Sequence, residues 1–479
     1  MYSLLFLACS SFLLSLVLTP VCRNMFRAMG LVDAPDAYRK AHSTPIPRLG
    51  GIPIALSYVT ACILLMLSPL RGGVLVTDHL DLAWKLLPAA GAVFITGLLD
   101  DVIGLKPWHK IAGQLIAALL ACWAGVRITG ISGISAPSWI GVPLTVLWLI
   151  GASNAFNLID GVDGLATGVG LFASVTTVLA AVLLQNNVPL ALATIPLAGS
   201  LLGFLRYNFN PASIFLGDSG SLLIGFLLGC YGVIWTQKSA TLLAMTAPLM
   251  TLAVPLLDAA LSVLRRFLRG QPIFRADRGH IHHRLLDRGF TPRTVALILY
   301  GFCGLTAASS LVQSAAHSRT AGVTIVFFCG VTWVGIQYLG YAEFDLASRM
   351  LIRGRFRSTL NAQIAILSLE QRLVSAATLE QCWDAIRETC LAFDFAEARL
   401  SAGGTIYFER WKTLPPESSW TLRLPLSAVD YISISRPFAA PAISALNSLI
   451  DVLSANLPPR IAGLQRSSGG LPIVAAAGR

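Results

Sequence analysis

Asn154 to Ala166 reads NAFNLIDGVDGLA. Before it, Ser138 to Ala152 carries no charged side chain, and after it neither does Leu165 to Leu184. Asp160 and Asp163 therefore stand at the junction of two runs apolar enough to enter a bilayer. A carboxylate resists leaving water without a partner. The flanking runs decide the fold, and whatever pairs the two acids decides the function.

Working outward, the same composition runs through most of the 479 residues. The chain is 55% hydrophobic and 12% charged, against about 25% charged in a soluble domain. A membrane span needs roughly 17–25 apolar residues. Eleven such segments are expected: 2–22, 50–70, 84–99, 109–126, 139–156, 165–185, 189–205, 220–236, 240–264, 294–313 and 320–342. The first lacks a basic leader and an A-x-A site, so it reads as a retained span. The expected fold is an all-α polytopic membrane protein of about 11 transmembrane helices, with a C-terminal soluble α+β module.

Orientation follows from basic residues. Loops 23–49, 100–110, 206–219 and 265–293 hold 16 Lys or Arg, and the opposite loops with their span ends hold five. The richer side is read as cytoplasmic, together with the C-terminus. The net charge of +11 is largely this signal. No basic stripe interleaved with aromatics appears on a soluble surface, so no nucleic-acid role is expected. The nine cysteines form no C-x-x-C and read as small apolar packing residues.

Composition changes at Glu343, the first Glu of the chain. Three regions follow: 1–342, the membrane core; 343–457, a cytoplasmic α+β module; and 458–479, a tail expected to be disordered. In the module, Ile364–Leu373 and Leu379–Ala392 read as amphipathic helices. ARLSAGGTIYFERW and WTLRLPLSAVDYISISR read as strand pairs around turns, and Ala439–Leu457 as a closing helix. The order is faintly similar to a GAF-like domain.

Polar clusters fall almost entirely at the cytoplasmic span ends. They are RKAHSTPIPRLGG (Arg39–Gly51), GLLDD (Gly97–Asp101), the opening stretch, RYNFNPASIFLGDSGS (Arg206–Ser221), Asp258 with Arg265 and Arg266, and DRGHIHHRLLDRG (Asp277–Gly289). Asp100, Asp101, Asp160, Asp163, Asp218 and Asp258 thus gather at one face, where like charges repel. Either a divalent cation or individual Lys and Arg residues must offset them. Oxygen-only ligands suit Mg²⁺, with Mn²⁺ an alternative. The nearby basic set, Lys40, Arg48, Arg206, Arg265, Arg266, Arg278 and Arg284, suits an anionic substrate. Acids, metal and basic residues together are the apparatus of phosphoryl transfer.

Local spacing adds detail. Asn157, Asp160 and Asp163, if helical, share one face, and Gly161 and Gly164 would admit a ligand close to the backbone. GDSGS at 217–221 would start a helix whose N–H groups face phosphate. An EF-hand reading of DGVDG fails for want of the later Glu. A zinc reading of His280, His282 and His283 lacks a cysteine partner. Asp258 reads equally well as a purely structural partner of Arg265 or Arg266.

Five of these motifs, in this order, resemble the polyprenyl-phosphate N-acetylhexosamine-1-phosphate transferases over about residues 1–342. The HIHH form at 280–283 looks like the branch that uses simple amino sugars, not the phospho-MurNAc-pentapeptide branch. The resemblance implies transfer of a sugar 1-phosphate from a UDP-N-acetylhexosamine to undecaprenyl phosphate, releasing UMP. It implies a bacterial inner membrane, membrane lipid as partner, and a homodimer. By motif it implies Mg²⁺ on Asn157 and Asp218, and Asp100 and Asp101 beside the lipid phosphate, with Asp100 the proposed base. It also implies Asp160 and Asp163 at the nucleotide, and Asn208 near uracil. His280, His282, His283 and Arg284 would meet the diphosphate or sugar, and Lys40 and Arg48 would hold phosphate. A rival class is a transporter or membrane sensor. A transporter would set its acids near the bilayer midplane, and here they sit at span ends.

Overall fold

The computed structural model describes residues 2–33, 45–78, 80–131, 134–135, 137–237, 246–268, 279–315, 318–340, 355–413, 418–438 and 446–468. The chain divides into two compact units, Met1–Tyr341 and Ala342–Arg479.

The first unit is helical: α1 Tyr2–Ala28, α2 Gly51–Leu67, α3 Arg71–Asp78, α4 Leu80–Ile103, α5 Pro107–Trp123, α6 Ser138–Ile159, α7 Leu165–Leu179, α8 Val188–Asn208, α9 Gly217–Gln237, α10 Thr246–Thr251, α11 Ala253–Leu268, α12 Ile281–Asp287, α13 Pro292–Ala315 and α14 Ser318–Leu339. A π turn, Ala180–Leu184, prolongs α7. Two short antiparallel pairs accompany them: β1 Val32–Asp33 with β2 Ile46–Pro47, and β3 Gly130–Ile131 with β4 Ile134–Ser135.

Among the described residues, eight helices have the length and apolarity to cross a membrane: α1, α4, α6, α7 with its π turn, α8, α9, α13 and α14. This marks a multi-pass membrane protein. Helices α2 and α5 lie in two further expected spans but have 17 residues each. The segment 240–264, expected as one span, holds α10 and α11 with Leu252 between them. Pro255, in the first turn of α11, has no N–H to give the Thr251 carbonyl, so the helix breaks there.

Small residues bring these helices together, as expected where lipid and side chain are equally apolar. Gly199 and Gly203 lie four apart on α8 and face α1. A Cβ at Gly199 would meet Ser11 Oγ at 2.0 Å, and one at Gly203 would meet the Phe12 carbonyl at 2.7 Å. Ser15 Oγ donates to the Ser200 carbonyl at 2.7 Å across the same contact. Helix α9 is the most enclosed span, 89% buried over its apolar window, and it packs against α4 and α6.

The second unit holds α15 Arg355–Ser375, α16 Leu379–Ala392, β5 Glu397–Ala402, β6 Thr405–Arg410, β7 Ser419–Pro425, β8 Tyr431–Pro437 and α17 Leu446–Ser468. The strands form one antiparallel sheet in the order β6-β5-β8-β7. Its inner face, with Ala398, Leu400, Ile432 and Ile434, joins one core with the three helices.

Helix α17 corrects the expected tail. The helix runs through Pro458 and Pro459 to Ser468. Packing outweighs the prolines: Leu457 and Ile461 are buried, and Arg460 Nε donates to the Ala376 carbonyl at 2.7 Å. Residues 469–479 lie outside the described residues. All nine cysteines are free thiols.

Two glycines of α4 test the packing around α9. A Cβ at Gly97 would meet the Asp218 carbonyl oxygen at 2.5 Å, and a Cβ at Gly91 meets nothing within 4 Å. Gly97→Ala is expected to destabilise by about 1–3 kcal/mol and Gly91→Ala to leave stability unchanged. Thermal melts of the purified variants in detergent check this, and equal melts would refute the close contact.

Candidate active site

The site is built around the first turn of α9. Three backbone hydrogen bonds tie PRLGG to FLG: Phe215 N–H to Pro47 at 2.8 Å, Gly50 N–H to Phe215 at 3.0 Å, and Gly51 N–H to Leu216 at 3.0 Å. The two glycines permit this approach, since a Cβ on Gly51 would lie 2.5 Å from Gly220 N. Gly217 then turns into α9 with φ +73°, a conformation that favours glycine.

That helix start was expected to offer its N–H groups to phosphate. Instead the chain supplies its own anions. Asp101, at the end of α4, accepts Asp218 N–H at 2.8 Å on one oxygen and Ser219 N–H at 2.9 Å on the other. The Gly217 N–H bonds to Asp160. Free helix N–H groups and the helix dipole both favour carboxylates in this position.

With its backbone capped, Asp218 turns its side chain to two partners from two helices. Its Oδ1 accepts from Asn157 Nδ2 on α6 at 2.9 Å. Its Oδ2 is in contact with the Lys110 ammonium on α5. Lys110 also donates to Asp100 Oδ2 on α4 at 3.1 Å, and Asp100 Oδ1 accepts Leu105 N–H at 2.7 Å. Two acids, one amide and one ammonium thus form a single cluster. About a fifth of each of Lys110, Asp100 and Asp218 stays exposed, so the cluster opens to solvent.

The loop after α6 corrects the shared-face expectation. Helix α6 ends at Ile159 and Asp160 follows as its cap, so Asp163 leaves that face. Asp163 Oδ2 accepts Asn210 Nδ2 at 2.9 Å and Ala212 N–H at 3.0 Å, which fastens the loop to the chain after α8. Burial pushes the Asp160 carboxyl well above the usual carboxylate range; Asp218, Asp101 and Asp163 add to this, and the Gly217 N–H opposes it. Gly161 gives its space to a side chain and not to a ligand: a Cβ there would meet His282 Nε2 at 2.5 Å.

The histidine motif is held by Asp258 of α11. Its Oδ1 accepts Ile281 N–H at 2.7 Å and its Oδ2 lies 3.1 Å from His280 Nδ1. Its expected partner Arg265 instead donates to the Gly279 carbonyl at 2.8 Å. His282 is buried and stacks on His280 with ring centroids 5.6 Å apart. His283 lies 4.3 Å from His282, centroid to centroid.

Other expected contacts lie elsewhere. Asn208 is buried, accepting from Thr167 Oγ1 at 2.7 Å and donating to the Ile214 carbonyl at 3.0 Å. Both sides of its amide bond to the protein. Arg284 donates to the Leu339 and Gly340 carbonyls at 3.1 and 3.0 Å, closing the end of α14 with a positive charge. Arg48 reaches Asp33 at 3.8 Å. Lys40 and Arg278 lie outside the described residues. Lys110 was not anticipated. It stands ten residues after Asp100, and its placement at the start of α5, three residues past Pro107, is the signal that could have marked it.

Acids and a lysine at a membrane face suit several chemistries, and comparison with known proteins selects among them. Residues 83–236 match glycosyl transferase family 4. A relative from Bacillus subtilis (strain 168), a probable undecaprenyl-phosphate N-acetylglucosaminyl 1-phosphate transferase, is 33% identical over 64% of this chain and 84% of its own. The chain belongs to glycosyl transferase family 4. A decaprenyl-phosphate N-acetylglucosaminephosphotransferase from Mycobacterium tuberculosis (strain ATCC 25618 / H37Rv) is 34% identical over 60% of this chain and 76% of its own. An undecaprenyl-phosphate alpha-N-acetylglucosaminyl 1-phosphate transferase from Escherichia coli (strain K12) is 28% identical over 67% and 86%. The protein is therefore a membrane-bound sugar-phosphate transferase, and transport or sensing is not needed to account for its buried acids.

In this transferase His282 gives a pH signature. Burial pushes its imidazole down to about 4; Asp258 opposes this, and His283 and His280 add to it. The unfolded side chain takes up a proton near pH 6.5. Between about 6.5 and about 4 the unfolded state binds more protons, so stability must fall as pH falls through that window. Melting temperatures should be flat from about pH 8 to 7 and drop toward pH 5. His282→Gln should drop less steeply, and a parallel drop would refute a neutral buried His282.

Proposed function

We propose that the transferase moves N-acetylglucosamine 1-phosphate from UDP-N-acetylglucosamine to undecaprenyl phosphate, releasing UMP and starting a cell-envelope polysaccharide. One observation carries this reading: the Asp100–Lys110–Asp218–Asn157 cluster at the ends of α4, α5, α6 and α9. The names of the relatives support the sugar and the lipid.

A phosphate oxygen of the acceptor attacks the phosphorus that carries the sugar. The bridging P–O bond to the uridylyl phosphate breaks, and UMP leaves with that oxygen. The acceptor phosphate has a second pKa near 6 and is mostly dianionic at neutral pH, so it attacks without losing a proton. Asp100 then positions Lys110, and Lys110 presents its ammonium to the gathering phosphates. Asp101, Asp160 and Asp163 hold the loops around Asp218.

Asp218 and Asn157 fit a magnesium ion. They touch each other at 2.9 Å, and a half-turn of the Asn157 amide presents its oxygen beside the carboxylate. One or two protein oxygens, completed by water and substrate phosphate, are what this ion accepts. Bound there, it would neutralise charge on the diphosphate. His280 and His283 are proposed to meet the sugar or diphosphate. Lys40 and Arg48 retain their proposed role at phosphate.

The excess of basic residues on one set of loops supports a cytoplasmic site and eleven spans in the inner membrane. Only that face meets both a cytosolic nucleotide sugar and a membrane lipid phosphate. A homodimer is proposed by analogy with the family alone.

Membranes given radiolabelled UDP-GlcNAc, UDP-GalNAc or UDP-MurNAc-pentapeptide should label lipid from the first. Labelling from the third alone would overturn the sugar assignment. Asp218→Asn should cut UMP release by about a hundredfold, and wild-type turnover would remove the metal site.

Lys110→Met leaves Asp100 and Asp218 uncompensated and should destabilise by about 1–3 kcal/mol, less than for a dry pair because the cluster meets solvent. Magnesium should raise the melting temperature of this variant more than that of the wild type. An equal rise in both would argue against a cation at these acids.

A further inference from the structure

The outer face of the β5–β8 sheet carries an order that the transfer reaction does not use. Cross-strand register places three rows on it. The row farthest from the hairpin turns is Arg410–Glu397–Ser435–Thr421, and it is closed. Arg410 Nε donates to Glu397 at 3.0 Å, Ser435 Oγ donates to Glu397 at 3.0 Å, and Thr421 and Ser435 hydroxyls meet at 2.9 Å.

The middle row is Phe408–Arg399–Ser433–Arg423. Its two arginines rest on aromatic rings. Arg399 Cζ lies 5.1 Å from the Phe408 ring centre and Arg423 Cζ 3.7 Å from that of Tyr431. Ring contacts hold a guanidinium in place without cancelling its charge. The third row, nearest the turns, includes Ile406 and Tyr431. Ile406 is 63% exposed, and Val429 at the tip of the β7–β8 turn is 80% exposed. Asp430 joins the two turns, its carboxylate accepting Gly403 N–H at 3.0 Å and Ser427 Oγ at 3.1 Å. Its charge is thus engaged within the edge.

From the turns inward the order is apolar tip, cations, then a neutralised polar ladder. Successive rows on one face lie about 7 Å apart. That matches the step from the acyl boundary of a bilayer to its phosphates, into which interfacial segments sink about 5–10 Å. A flat sheet encloses a small molecule poorly. Residues 343–479 carry 14 basic and 12 acidic side chains, too balanced a field to hold a polyanion such as nucleic acid. The second unit begins at Ala342, directly after the last span in the chain. The second unit is therefore tethered to a membrane-spanning helix.

We propose that the hairpin edge formed by Ile406, Val429, Arg399 and Arg423 docks on an anionic lipid leaflet. Arginine near such a surface shifts the docked population by about fivefold each.

Hydrogen exchange on the full chain in nanodiscs tests this. Discs of phosphatidylcholine alone are compared with discs that also contain phosphatidylglycerol. Segments 403–408 and 426–431 should exchange at least about fivefold more slowly in the anionic discs. The Arg399→Gln/Arg423→Gln variant should lose that slowing. Phe438→Ser, which changes an exposed aromatic at the opposite end of β8, should keep it. Protection of 432–434 reports whether the double variant is folded; if it is not, Val429→Asp decides and should also lose the slowing. Equal exchange in the two discs would overturn the proposal. So would slowing that survives the decisive variant, or slowing in neutral discs on adding a single-stranded oligonucleotide.

Discussion

The candidate site depends on one carboxylate bonded to a helix backbone. Asp101 accepts two consecutive N–H groups of α9, and it comes from the end of α4. This bond fixes where the two helices meet, with Gly97 one turn earlier letting their backbones touch. Its neighbour Asp100 then points away from α9's backbone and toward Lys110. Adjacent acids on one helix so perform two tasks, one anchoring the frame and the other standing in it.

The same division separates the remaining acids. Asp163 and Asp258 each accept a backbone N–H as well as a side chain, Asp163 from Ala212 and Asp258 from Ile281. Each fastens one polar loop to another: the stretch after α6 to the stretch after α8, and α11 to the histidine helix. In an apolar surround such bonds are strong and directional. Loops distant in sequence are thereby fastened to one another by polar bonds as well as by buried apolar side chains such as Val162, Ile214 and Leu216.

Much of this was legible in the sequence. The gathering of six acids at one face could be read from span ends and basic loops alone, because the bilayer forbids them any other place. The strand pairs about Gly403–Gly404 and Asp430 were equally plain, since turn residues and alternating apolar positions agree there. What could not be read was the partner of each polar side chain. Asn208 and Arg284 have the chemistry of substrate ligands, yet both close the frame. Lys110 lay hidden because one lysine after a proline resembles the ordinary basic flank of a span. Helix α17 ran past two prolines for a tertiary reason, the burial of Leu457 and Ile461, which no local rule contains.

The hydrogen-bond ledger of the acids also bears on what the site can do. A carboxylate that already accepts two fixed N–H groups has little to gain from a cation and cannot swing toward one. Asp218 is different: its backbone is capped by Asp101, so its side chain is free of that duty, and its contacts are an amide and an ammonium. Both are exchangeable, since Asn157 can turn its oxygen inward and Lys110 can shift to Asp100. Asp218 is thus the acid best placed to take the proposed cation without disturbing the fold. That readiness follows from the capping of α9, and the proposed chemistry then lies where four helices, and not one motif, converge.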